Sequence, residues 1–339
     1  MNVPTSAPPL VTVIIVAYNS GAYLQPCVEA LANQTFDGFE AVIVDNASQD
    51  ASVDELRLPD SRFRVERLGY NAGFAAANNY AAQRSQAEFL ALLNPDAMAE
   101  PTWLEALLRA AREHPEAASF GSIQLRLEEP HVLDGVGDVW HAAGLAWRAG
   151  EGRSAEHPPP DGEIFGPCGA AALYRRTDFL ALDGFDERYF CYVEDVDLAY
   201  RLRLAGRTSR RASDAVVRHA GSGISGRRSD FTMFYGTRNR IWTFVKDTPG
   251  GWFWLLLPYH LAFNLLYGLS AIRRGIARPV WRAYWASLKG LGPIWTDRRR
   301  LARRQRVPFR EVLEVMTVTP FIPYQRGLYP RYIRRRKAD

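Results

Sequence analysis

Along the chain, short apolar runs alternate with stretches of helical spacing. LVTVIIVA (10–17) is brief and rich in β-branched residues, which predicts a strand buried on both faces. The polar break YNSGAYL follows, then apolar residues at helical spacing over 24–33. FEAVIV (39–44) predicts a second strand and 62–68 a third. The alanine-rich AAANNYAAQ reads as a helix, EFLALL (88–93) as another strand, and 103–113 as the next helix. Strands alternating with helices at this spacing predict an α/β fold with a mostly parallel central sheet and crossover helices. Ligands meet such sheets at the carboxyl ends of the strands. Tyr18-Asn19, Asp45-Asn46 and Asn94-Pro95-Asp96 all fall at those ends, where folding needs no acid.

Beyond this the pattern loosens. Residues 128–169 have little periodicity and read as a loop-rich excursion over the sheet that shapes a second cleft. A strand resumes at 171–176, a short helix follows at 177–182, and 215–218 is a last strand before His219. Between them lies YFCYVEDVDLAYRLRLAG (189–206), with Glu194, Asp195 and Asp197 crowded at the mouth of an arginine-rich, amphipathic helix that Gly206 stops. Acids are favoured in a first helical turn, so helix chemistry alone accounts for some of that charge.

Charge redraws the picture at one point. From position 231 onward there are 21 Lys or Arg against 5 Asp or Glu, a net +16, whereas residues 1–230 hold 21 basic and 32 acidic residues, a net −11. Six of the nine tryptophans lie after residue 240. The boundary is therefore expected near 230, with a catalytic part at 1–230 (halves about 10–125 and 126–230) and a basic, aromatic, helical extension at 231–339. Within the extension, GWFWLLLPYHLAFNLLYGLSAI (251–272) approaches the length of a spanning helix but is interrupted by Pro258, His260 and Asn264. DRRRLARRQR and RYIRRRK follow. Nucleic acid would explain the basic clusters but not the apolar aromatic segment. An anionic membrane surface explains both, while an oligomer interface stays open. Three cysteines without C-x-x-C spacing argue against a disulfide framework or a zinc site, and the first residues carry no signal-peptide pattern, so a reducing, cytoplasmic setting is expected.

Neither G-x-G-x-x-G nor a P-loop follows a strand, which disfavours a dehydrogenase or P-loop NTPase. Separated carboxylates at one sheet edge suit instead a hard divalent cation bridging phosphate oxygens. VTVIIVAYNS, VIVDNASQD, GYNAGFAAANN, FLALLNPDA, the long stretch CGAAALYRRTDFLALDGFDERYFCYVEDVDLAYRLRLAG, and VRHAGSGISG occur in this order. Over roughly residues 10–245 the chain resembles family 2 glycosyltransferases, most closely the bacterial rhamnosyltransferase-like branch. The resemblance implies a GT-A (Rossmann-like) fold, a nucleotide-diphosphate sugar donor and inversion at the anomeric carbon.

Carried over residue by residue, the resemblance gives Asp45 the reading of a pyrimidine base, with the backbone of Ala17, Tyr18 and Asn19 lining the same pocket. Asn71 and Gly73 match a segment beside the nucleotide. Asn94 and Asp96 stand where the family has Asp-x-Asp, so Asp96 would hold Mg2+ or Mn2+, and Asn94 is a weaker, neutral ligand. His219 falls where some relatives supply a further metal ligand. Glu194 and Asp195 match the catalytic element, Asp195 as base and Glu194 orienting acceptor or sugar, with Asp197 structural. Phe190 and Tyr192 either stack on sugars or pack. The expected reaction moves L-rhamnose from dTDP-L-rhamnose to a cell-surface glycan or lipid-linked saccharide at the inner face of a membrane. A UDP-hexose transferase and a non-catalytic sugar-nucleotide-binding subunit are the rivals, and intact Asp45, Asp96 and Asp195 speak against the latter.

Overall fold

The computed structural model of the chain describes residues 8–221 and 229–318. β1 (Val11–Ala17), α1 (Leu24–Ala32), β2 (Phe39–Asp45), β3 (Phe63–Arg67), α2 (Gly73–Arg84) and β4 (Phe89–Leu93) match the apolar pattern to within a residue or so. The four strands are parallel, in the order β3-β2-β1-β4. β1 is apolar at almost every position because both faces of the sheet are covered. Val11, Val13 and Ile15 join Leu24, Cys27 and Leu31 of α1 in one layer, while Ile14 and Val16 meet Ala75, Ala77 and Ala81 of α2 in the other.

Downstream come β5 (Ala97–Ala99), α3 (Trp103–Glu113), β6 (Ala117–Arg126), β7 (Leu133–Gly135), β8 (Asp138–His141), β9 (Leu145–Arg148), β10 (Gly162–Ile164), β11 (Ala171–Arg175), α4 (Arg176–Ala181), α5 (Glu194–Leu204) and β12 (Thr208–His219). β11 runs antiparallel between β4 and β6, and β12 lies parallel to β6 with β10 beyond it. The sheet is thus parallel on its first side and mixed on its second. Two expectations change here. The excursion at 128–169 contains β7, the β8–β9 hairpin and β10, strands too short to show a period. The last strand begins at Thr208 rather than 215. Its start is masked by Arg210 and Arg211, of which buried Arg211 donates to the carbonyl of Pro160.

α5 is also not the amphipathic helix its spacing suggests. Val196, Leu198, Ala199, Tyr200, Leu202 and both arginines, Arg201 and Arg203, are buried. It also packs against α6 (Asp230–Asp247), the first helix after the charge boundary, and its arginines find partners inside: Arg201 on Asp197 of α5 itself and Arg203 on Glu163 of β10. Four more helices follow: α7 (Gly250–Arg273), α8 (Ala277–Lys289), α9 (Leu291–Arg304) and α10 (Phe309–Leu313). They share one core with the catalytic part, in which Trp140, Tyr189 and Tyr200 pack with Trp242, Phe244, Phe253 and Ile294. The basic run at 331–337 and the end of the 217–226 motif lie outside the described residues.

Candidate active site

The parallel strands deliver the first group of side chains. Asp45 ends β2, buried, its Oδ1 accepting from the Ser48 N–H at 2.9 Å and its Oδ2 from Arg67 at 3.2 Å. Ala17 ends β1 beside it and accepts from Asn46 N–H at 2.8 Å. Asn19 follows at φ 48 and accepts from Gln49 N–H, so Tyr18 is left exposed at the mouth. Asn71 receives a bond from Asn46 at 2.9 Å and one from the Gly73 N–H at 3.0 Å, which ties this segment to β2. The close approach that Gly73 permits is to protein: a Cβ there, at φ +84, would lie 2.5 Å from the Phe190 ring.

Asp96 and His219, far apart in sequence, are joined by sheet register. β5 pairs antiparallel with the end of β12, Ala97 opposite His219, and this sets Asp96 Oδ1 3.2 Å from His219 Nε2. The other ring nitrogen, Nδ1, lies 2.8 Å from Asp134 Oδ2 on β7, itself paired with Arg148. Burial by itself would lower the pKa of His219, but the bonds to Asp134 and Asp96 outweigh it and raise the pKa. Without a cation both ring nitrogens face carboxylate oxygens. A divalent cation between Nε2 and Asp96 would displace the Nε2 proton while Nδ1–H stays on Asp134, and a carboxylate–histidine pair so oriented fits such an ion. Asn94 completes the edge, its Nδ2 3.5 Å from the same ring nitrogen. Asp134 was not legible in the sequence, where it is one acid in a stretch without period.

Asp195 stands on a different kind of support. The loop before it is bent hard: Phe190, Tyr192 and β-branched Val193 all have φ between 64 and 71, a region L side chains avoid. Each such residue carries about 1–3 kcal/mol of strain unless its surroundings impose the conformation. They do so here through Asn239 of α6, fully buried, whose Nδ2 lies 2.7–2.9 Å from the carbonyls of Tyr189, Cys191 and Tyr192. Ala75 N–H holds the carbonyl of Phe190 from the other side. The bend throws Asp195, half-buried, into a cleft of about 910 Å3, with Oδ2 accepting from Gly169 N–H and Oδ1 from Val196 N–H, each at 2.8 Å.

The acid crowding resolves by environment. Glu194 is buried and driven well above the usual carboxylate range by that burial and by Asp195 beside it. Asp138 of β8, buried with Cys168 in the same corner, is pushed well up for the same reasons. Asp195 is raised less far: burial lifts it, and the two backbone N–H groups pull back. Asp195 is therefore the group of this corner that most readily carries charge. Asp197 is structural, as expected, though its partners are buried ions: it binds Arg201 and Lys246 of α6, which hold its carboxyl below the usual range against burial. Phe190 packs, stacked on Tyr235 with centroids 5.2 Å apart, while Tyr192 lines the cleft. Asn94 and Asp195 line the same cleft, as do Asp138, Arg148, Arg240 and the flank of α7.

The family model Glycosyl transferase family 2 matches residues 12–182, half of the chain, and ends before Glu194, Asp195 and His219. Over 296 residues the chain is 27% identical to the N-acetylglucosaminyl-diphospho-decaprenol L-rhamnosyltransferase of Mycobacterium tuberculosis, spanning 78% of this chain and 95% of that protein. It is 29% identical over 223 residues to the O-antigen biosynthesis protein RfbC of Myxococcus xanthus, covering 60% of this chain but only 16% of RfbC. Among solved structures it resembles GalNAc-T7 with UDP, GalNAc and Mn2+ (TM-score 0.56, 16% identity, 70% of this chain and 47% of that one). It also resembles the mannosyltransferase PcManGT from Pyrobaculum calidifontis with GDP-Man and Mn2+ (TM-score 0.51, 18% identity, 88% and 86%). The fold is that of GT-A glycosyltransferases, with a helical extension at the C-terminal end.

Proposed function

The chain belongs to glycosyl transferase family 2 and is a glycosyltransferase of nucleotide-sugar donors, and we propose that it inverts L-rhamnose from dTDP-L-rhamnose onto a lipid-linked saccharide with the help of a divalent cation. The observation that carries this reading is the cleft itself. Of its three carboxyl groups Asp195 alone is oriented by two backbone N–H groups, and it shares the cleft with Asn94 at the end of β4, two residues before Asp96. Rhamnose and the lipid-linked acceptor are supported by the name of the mycobacterial relative and by the aromatic, basic extension.

In this mechanism Asp45 and the backbone at 17–19 hold the pyrimidine, and Asn71 fixes the wall beside it. Asp96 and His219 would hold Mg2+ or Mn2+, which supplies positive charge to the diphosphate as it leaves. The acceptor hydroxyl attacks the anomeric carbon from the face opposite the diphosphate. As the new O–C bond forms, the bond to the diphosphate oxygen breaks, and the hydroxyl proton passes to Asp195. Glu194, whose pKa burial and Asp195 push well up, would in its protonated form be a hydrogen-bond donor to the sugar or acceptor.

The extension would keep the enzyme on the inner face of a membrane. α7 is long and apolar enough to cross a bilayer by length and composition, at a mean hydropathy of 1.4. Its polar interruptions, however, face the protein: buried His260 bonds to the carbonyl of Ala143 at 2.8 Å, and Asn264 receives Arg240 at 2.6 Å. Leu255, Leu261, Leu265, Leu269 and Ile272 face outward. A helix tied to the catalytic body at its midpoint suits a surface-lying orientation, and flanking Arg273, Arg274, Arg278 and Arg282 suit anionic headgroups.

The deciding experiment screens the purified protein against dTDP-, UDP- and GDP-sugars by thermal shift with Mn2+, followed by transfer assays with the best donor. The expected result is stabilisation by dTDP-L-rhamnose and transfer that needs it. Preferential stabilisation by a UDP-hexose would replace the donor, and binding without turnover on any acceptor would favour a non-catalytic subunit.

A further inference from the structure

The cleft does not end at the acids. Phe263, Leu266, Tyr267 and Ser270 of α7, with Arg274 just past its end, line it too, and their spacing of three, four, seven and eleven residues sets them on one stripe. That stripe is about 16 Å long at 1.5 Å per helical residue. Leu266 belongs to the cleft wall and is nevertheless 56% exposed, next to Leu265 and Leu269 on the outward face. The cleft therefore opens sideways, onto the apolar face of α7.

Its charges divide accordingly. Asp138, Glu194 and Asp195 gather at one end, where the cleft's third arginine, Arg148, is already paired with Asp134. Arg240 and Arg274 sit on the α6–α7 side, and among the described residues neither guanidinium forms an ion pair with a carboxylate. Arg240 is buried, bonded to neutral oxygens of Gly144, Asn264 and Tyr284 and lying over the rings of Phe263 and Tyr267. A buried guanidinium without a counter-charge is unfavourable until an anion meets it.

An anion beside an apolar wall that leads to a membrane-facing helix describes one kind of molecule. Resting on the reading of a lipid-linked acceptor given above, we infer that the strip at 263–274 together with Arg240 is the acceptor's lipid portal. Arg240 and Arg274 take the diphosphate, the prenyl chain leaves over Leu266 onto the exposed face of α7, and the saccharide is presented to Asp195. No bond is made or broken in this step. Its role is to deliver a membrane-anchored substrate to a cleft in a water-soluble body.

The test is binding, independent of sugar transfer. The full chain in detergent micelles is titrated with a fluorescent long-chain prenyl diphosphate, with dimethylallyl diphosphate and with dTDP. The long chain should bind at least about tenfold more tightly than dimethylallyl diphosphate, since each buried methylene adds to affinity. Leu266→Glu, at an exposed position that tolerates charge, should abolish that preference, and Arg274→Gln should weaken both prenyl ligands several-fold. Neither should change dTDP affinity beyond twofold. Equal binding of long and short chains, or a parallel loss of dTDP affinity in the variants, would overturn the portal. If the chain-length preference and its loss in Leu266→Glu persist while no rhamnose is transferred, the portal stands and the donor assignment falls.

Discussion

The proposed donor and acceptor sides of the site are built on opposite principles. Ala17, Asp45 and Asn94 stand at the ends of parallel strands whose course is set by buried β-branched and leucine side chains. Asp195 stands on a loop with three residues in left-handed conformation, held by one asparagine from a helix beyond the charge boundary. One side is a platform that the sheet would form in any case. The other has its present form only with α6 docked, so the first of the C-terminal helices shapes the loop that carries Asp195. Lys246 and Asp197, buried together at the α5–α6 contact, make the same point, because Lys246 of α6 is one of the two cations, with Arg201, that balance that buried carboxylate.

The sharpest break between the two sides should come from Asp195→Asn. It keeps the shape and removes the base, so turnover should fall by about 100-fold or more, while dTDP affinity, measured calorimetrically, stays near that of the parent. Near-normal turnover would move the base to Glu194. In the parent, kcat should decline as pH drops through a carboxylate pKa above the ordinary aspartate value, since Asp195 must be ionised to accept a proton and burial raises its pKa. An acid limb below that ordinary value would mean that another group sets it.

Asp96→Ala reverses the pattern, striking the donor side. Donor affinity should lose its dependence on Mn2+, and EDTA should do the same to the parent. His219→Ala should act more weakly, mainly on which metal is preferred. Activity untouched by EDTA would remove both residues from a metal role.

Asn239→Ala should give the smallest but most discriminating effect. It removes the donor that holds the Cys191 and Tyr192 carbonyls, that of Tyr189 keeping Arg238 and the Cys191 N–H, so thermal or urea unfolding should show a loss of about 1–3 kcal/mol. Turnover should fall roughly tenfold as Asp195 loses its fixed position, with dTDP affinity unchanged. A matching loss of donor affinity would show that the two sides are not built separately.

Much of this molecule was readable from residue order alone. The period of the apolar runs located β1, β2, β4 and α3, and the acids that follow those runs marked the carboxyl edge where the ligand belongs. Asp195 was singled out by its motif, though the burial of Glu194 and the rise in its pKa were not. What stayed hidden has a common physical origin. Asp134 and Asp138 lie on strands too short to show a period and Asn239 on a helix whose spacing does not single it out, and each meets a group more than 45 residues away. The arginines of α5 look like a solvent face until Arg201 meets the carbonyls of Leu182 and Gly184 and Arg203 meets β10, and Gly73 looks like room for a nucleotide until Phe190 fills it. Local pattern determines which segments become strands and helices, because burial of alternate or every third and fourth side chain is decided within the segment. Which buried groups meet is decided by packing between segments, and the conformation of loop 190–193, with the direction in which Asp195 points, exists only in that packing.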